Sequence, residues 1–173
     1  MDEKKIQRGF SFIEYLIILF FSSVFVFLLI YIFNPIEQIQ ILRDNMRKQD
    51  LNKLKIALEK YYHDNRRYPL SSIKPSYRII RPDATVADWG QRWQLPYMNM
   101  LPKDPSYPTQ TYIYYASSNG QVYYIYARLE RGSQSGKTCN IEGPCLSLSK
   151  NKIPFAACGG ICNYAVSSPN VSP

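Results

Sequence analysis

The chain has 173 residues, with 21 Lys and Arg against 13 Asp and Glu, a formal charge of +8. That leaves room for one modest domain and one further element, and a single histidine, His63, gives no His-based catalytic constellation to build. The charge is spread along the chain, so it favours anionic partners such as DNA, lipopolysaccharide or teichoic acids only weakly and non-specifically.

The further element comes first. Residues 10–33 are almost continuously apolar, with Glu14 their only charge. As a helix rising about 1.5 Å per residue, this run spans a hydrocarbon core of about 30 Å. A secretory signal peptide has a shorter apolar core and a small-residue cleavage site, and Tyr31, Ile32, Phe33 and Asn34 offer none, so the run is expected to remain as a single-pass anchor. Lys4, Lys5 and Arg8 before it favour a cytoplasmic N-terminus, although Arg43, Arg47 and Lys48 follow on the other side.

Beyond Asn34-Pro35 the pattern turns amphipathic. Ile36, Ile39, Leu42 and Met46, then Leu51, Leu54, Leu58 and Tyr61, fall mostly at three- and four-residue spacings with charges between them. The reading is one long helix over 10–65, closed by Tyr68-Pro69, whose second half, 34–66, lays an apolar stripe on a head. Residues 67–130 form that head. Its first part, to about 110, shows no sustained period, with Trp89, Trp93, Leu95 and Tyr97 tucked against the core and turn chemistry in Leu-Pro-Lys-Asp-Pro at 101–105. A hairpin is expected over 111–130, with strands 111–116 and 121–130 around a tight Asn119-Gly120 turn. One face of its second strand carries Tyr123, Ile125, Ala127 and Leu129, the other Val122, Tyr124, Tyr126 and Arg128.

In 131–173 Gly, Ser, Pro and Cys dominate. All four cysteines, Cys139, Cys145, Cys158 and Cys162, lie there, which suits disulfides in an oxidising compartment. Local pairing, 139 with 145 and 158 with 162, is the first choice. Crossed pairing is the alternative, since spacing cannot fix connectivity. A loop region held by disulfides is expected over more sheet. The fold class is therefore α+β: a long N-terminal helix packed on a small antiparallel sheet, with a disulfide-held C-terminal region.

Glu14 demands an explanation, because an ionisable group in a membrane helix points to function by default; the plain alternative is that it reaches back to the interface. A short charged leader, residues 1–9, ends in Arg8-Gly9. An aromatic residue, Phe10, follows, and Glu14 stands four residues further on. Gly-Phe-Ser-Phe-Ile-Glu at 9–14 resembles the prepilin signal of type IV pilins and of the pseudopilins of type II secretion and competence systems. Asp50-Leu51, Ala57 to Asn65, Arg67-Tyr68-Pro69, residues 101–105 and the Tyr-rich hairpin ending at Glu130 are similar to the same family, so the likeness covers roughly 4–130. The resemblance implies a pilin-like fold and cleavage between Gly9 and Phe10 by a membrane prepilin peptidase. It also implies N-methylation of Phe10 and a role for Glu14 in pairing with the N-terminal amine of a neighbouring subunit. Partners so implied are identical or related pilin subunits, the peptidase, and an inner-membrane platform with a cytoplasmic ATPase. The place would be the bacterial inner membrane, then a surface pilus or periplasmic pseudopilus.

Two departures stand out. The anchor lacks the midway Gly and Pro common in the family, and the acidic calcium-binding loop of major pseudopilins has no counterpart in 131–173, whose one acid is Glu142. No metal site and no cofactor are expected, and the four-cysteine tail tilts the reading from a secretion pseudopilin toward a pilus subunit.

Other motifs read more plainly. Gly132 to Thr138 has three residues between its glycines where a phosphate-binding loop needs four, and reads as a polar turn. The cysteine spacings do not suit zinc. Arg66, Arg67, Arg78, Arg81, Arg92 and Arg131 are read as a solvated basic surface, with a DNA-contacting patch as the alternative. The reading is a structural assembly protein, with no enzymatic activity of its own; a signal-anchored envelope-binding protein that never polymerises is the rival from another class.

Overall fold

The apolar run does form a helix. In the computed structural model, which describes residues 11–73, 76–135, 139–140 and 143–173, α1 covers Phe12–Phe33 and none of its residues is buried. At 22 residues it is about 33 Å long, and by length and composition it can cross a membrane. Asn34 ends it in the left-handed region (φ 39°, ψ 66°), with its N–H on the Ile30 carbonyl at 3.2 Å. Pro35 then opens α2, Pro35–Asn65. Proline suits a first helical position, where its missing N–H would have had no partner. The long N-terminal helix is thus present as two segments that meet at Asn34. The chain falls into two compact units, residues 1–39 and 40–173, so the division lies inside α2.

Within the second unit, α2 ends with Arg66 in the left-handed region (φ 58°), its N–H on the Tyr62 carbonyl at 2.8 Å. Two small antiparallel pairs follow: β1 (Ile79–Ile80) with β2 (Val86–Ala87), and β3 (Arg92–Gln94) with β4 (Met98–Met100). They bring Trp89 and Trp93 into the core as expected, while Leu95 remains exposed.

The main sheet has three strands in the order β5-β6-β7, all antiparallel: Ile113–Ala116, Tyr123–Ala127 and Tyr164–Ser167. Between β5 and β6, Ser117 N–H donates to the Val122 carbonyl, which leaves a four-residue loop and not a two-residue turn. Gly120 alone takes a positive φ there (65°), and a Cβ on it would meet the Tyr68 carbonyl at 3.0 Å. Asn119 contributes its side chain, accepting from the Gln121 N–H at 3.1 Å.

The whole of β6 is buried, on both faces. Tyr123, Ile125 and Ala127 join Tyr112, Tyr114 and the α2 residues Leu51, Leu54, Leu58 and Tyr61 in one core. Tyr124 and Tyr126 join Ile113, Leu148, Ile153, Ala165 and three cysteines in a second. The tail makes that second core. It supplies β7, the short helix α3 (Leu146–Lys150) and two disulfides, Cys139–Cys145 and Cys158–Cys162, with Cα separations of 5.1 and 5.5 Å. The expectation of a loop region is corrected here: the period-two run Tyr164–Ser167 finds a free edge on β6, and an edge strand left unpaired is a liability.

Candidate functional site

Glu14 occupies the third position of α1, one turn from its start. Its Oε2 accepts the Ser11 N–H at 2.6 Å, the reciprocal half of a capping box. The first N–H groups of a helix have no partner within it, so the carboxylate satisfies one of them and sits where the helix dipole favours an anion. Gly9 and Phe10, the expected cleavage and methylation positions, lie outside the described residues.

The expected stripe on α2 divides in two. Leu51, Leu54, Leu58 and Tyr61 are buried, whereas Ile36, Ile39, Leu42 and Met46 are exposed, by 69%, 49%, 62% and 51%. The buried side of α2 nearer its start is charged instead: Asp44 is 1% exposed and Arg47 0%. The reason lies in the phase. Counting back from Tyr61 through Leu58, Leu54 and Leu51 in steps of three and four lands on Arg47 and Asp44. Met46 to Leu51 is five residues, a turn of about 140° at 100° per residue, so the two apolar runs look in different directions.

Arg47 is the hub of the charged side. Its guanidinium donates to Asp104 through Nε (2.9 Å) and Nη2 (3.1 Å), to Asp44 through Nη1 (3.0 Å), and to Ser106 through Nη2 (2.9 Å). Glu130 Oε1 lies 2.9 Å from the same Nη2. Glu130 also receives Arg43 on both oxygens, at 2.8 and 2.5 Å. Asp44 in turn accepts the backbone N–H groups of Glu130 (2.8 Å) and Arg131 (3.1 Å). A buried charge is tolerable only when paired and fully hydrogen-bonded, and each member here is. Burial pushes the Arg47 pKa down, but its bonds to Asp104 and Glu130 more than reverse this and raise it. Burial likewise pushes Glu130 up, and the bonds from Arg43 and Arg47 outweigh it and hold the carboxyl below its ordinary value. The cluster ties α2 to the 101–106 turn and to the segment leaving β6. Its signal in the sequence was the period itself, which a search for apolar residues passes over.

Four core tyrosines have partners for their polar tips, whereas the buried Tyr77 hydroxyl has none among the described residues. Tyr112 donates to Asp50 (2.8 Å), Tyr68 and Tyr123 to Glu59 (3.0 Å each), and Tyr114 to the Pro69 carbonyl (2.6 Å). Of the arginines read as a basic surface, two are engaged internally. Arg78 stacks on Trp89 at 5.6 Å and donates to the Ser76 and Tyr112 carbonyls. Arg81 donates to the carbonyls of Val86 and Arg92. Arg66, Arg67 and Arg92 stand exposed. His63 is exposed at the end of α2 beside Asp64. Among the described residues no group of three or more His, Cys, Asp or Glu is placed to hold a metal ion. Gly132–Ser135 is a 3-10 turn, and residues 136–138 lie outside the described residues.

The model of one protein family, type II secretion system (T2SS) protein G, matches residues 35–142, from the start of α2 into the tail. The chain belongs to the type II secretion system protein G family. No curated protein and no solved structure matches it. The protein G family is one of major pseudopilins, so the pilin-type resemblance read from residues 50–130 is upheld. Membership makes the chain a pilin- or pseudopilin-type structural subunit, of a family whose members assemble with other such subunits. With α1 as its candidate span, the protein G frame is that of a membrane-anchored envelope protein.

Proposed function

We propose that this chain is the structural subunit of a type IV pilus-like filament, cut between Gly9 and Phe10, N-methylated on Phe10, and assembled through its N-terminal helix. The observation that carries this reading is the inverted start of α2. A helix that buries Asp44 and Arg47 while exposing Ile36, Ile39, Leu42 and Met46 has an apolar face that none of the described residues covers. Exposed apolar patches of this kind mark interaction sites, and this one continues the apolar character of α1. In this account subunits wait in the inner membrane with the N-terminus inside, and an ATPase-driven platform stacks their helices. No enzymatic activity belongs to the role.

Glu14 has two successive partners in this scheme. Before assembly it caps its own helix through Ser11. Removal of residues 1–9 creates an amine within a turn of it, and in a low-dielectric helix bundle an unlike charge on a neighbour is a strong partner. Processing thereby supplies the charge that sets the register of each added subunit. The family match favours a second reading, a pseudopilin of a secretion or competence system. Negative-stain microscopy separates the two: long surface fibres for a pilus, short periplasmic ones for a pseudopilus.

Intact-mass measurement of the chain in a sheared-filament fraction tests the proposal. The expected species begins at a methylated Phe10. A chain that still begins at Met1, in cells that possess the peptidase, or one absent from the filament fraction, contradicts it.

A further inference from the structure

A second exposed apolar surface lies in the tail. The Cys162 N–H donates to the Phe155 carbonyl (2.9 Å), and the Cys145 N–H donates to the Cys162 carbonyl (3.0 Å). These two bonds set Phe155, Ile161 and Leu146 beside one another along the backbone, and the three are 50%, 54% and 68% exposed. The knuckle is rigidly seated. The Cys158–Cys162 bridge closes it, and the Cys158 carbonyl accepts the Thr111 N–H at 3.1 Å. Gly159 (φ 81°) lies so close to the 109–110 backbone that a Cβ on it would fall 2.0 Å from the Thr109 carbonyl. Arg128 donates to the Gly159 carbonyl at 3.0 Å.

Charge selects the occupant. Residues 153–173 contain no Lys, Arg, Asp or Glu, in a chain of net charge +8. On α2, Leu42 and Met46 are exposed, and the charges next to them, Arg43, Asp44 and Arg47, are paired within the cluster. A net charge far from zero keeps like copies apart, so their close contact belongs where charge is absent. Two different surfaces that fit one another make a heterologous contact, and repeated heterologous contacts give an open helical assembly.

We propose that the knuckle around Phe155 and Ile161 docks on the outward Leu42–Met46 face of α2 in a second copy of this chain, as a head-level contact additional to that of the N-terminal helices. The proposal rests on the filament reading. Benzoylphenylalanine placed at Phe155 of the full-length chain, with light applied to assembled filaments, tests it. The expected result is a ladder of cross-linked subunits in which peptide mapping joins residue 155 to the segment 36–47. A cross-link to another segment, another protein or lipid, or none in filaments that do form, overturns the docking and leaves the filament reading standing. Absence of filaments from wild-type cells overturns both. As a second arm, Phe155→Ser with Ile161→Ser is expected to lower filament yield at least tenfold with both disulfides formed; an unchanged yield contradicts the proposal.

Discussion

The two halves of α2 obey opposite rules. From Leu51 to Tyr61 the helix turns its apolar side to the sheet, as a surface helix of a globular head should. At Leu42 and Met46 it turns its apolar side away, and Asp44 and Arg47 take the inner positions. The difference teaches what each half is for. Ordinary hydrophobic burial holds the second half to its own head. The first half is held by a cluster of charges, which leaves its apolar side available to something else.

The largest effect is expected from removing the hub. Arg47→Ala leaves Asp44 and Asp104 buried without their cation and Glu130 with Arg43 alone, and breaking a buried pair in this way typically costs about 3–5 kcal/mol. Denaturant unfolding of the detergent-solubilised full chain measures this. A loss below about 1 kcal/mol, the scale of an exposed pair, would show that the cluster does not hold the start of α2.

A smaller effect is expected from acid. Glu130 is held below its ordinary pKa by Arg43 and Arg47 against the pull of burial. A carboxylate with a depressed folded pKa contributes fully above its unfolded value, about 4.3, and loses that contribution as pH falls through the folded value. Asp50 runs the other way, because burial raises it more than the Tyr112 bond lowers it, so it takes up its proton earlier and with no loss to the fold. Unfolding midpoints at pH 7, 5 and 3 are expected to fall mainly over the last interval, and Glu130→Gln to flatten that fall. A steady decline from pH 7 to 5 would point to groups other than this cluster.

Much of this was legible in the chain. The apolar helix and the hairpin followed from an almost continuous apolar run and an Asn-Gly between Tyr-rich strands. Local pairing of the cysteines was the first choice on spacing, with crossed pairing left open until the structure paired 139 with 145 and 158 with 162. The site was legible only in part. The five-residue step from Met46 to Leu51 marked a change of face, but a search for apolar residues counts the spacings on either side and misses that Asp44 and Arg47 carry the inner period. Strand β7 was hidden for another reason. Tyr164–Ser167 is four residues in a tail rich in Gly, Ser and Pro, and it becomes a strand only because β6 offers it an edge. The partners of Arg47 come from positions 57 and more residues away, Asp104 and Glu130, and no local pattern announces a meeting of that kind.

The central claim, that the outward start of α2 serves assembly and the inward end serves the fold, is tested most directly by one paired measurement. Leu42→Ser with Met46→Ser is compared with Leu54→Ala for both unfolding free energy and filament yield. The account predicts that the outer pair changes stability by less than about 0.5 kcal/mol yet cuts filament yield at least tenfold, while Leu54→Ala costs about 2–5 kcal/mol. Normal filament yield from the outer pair, or a stability loss matching that of Leu54→Ala, would contradict it.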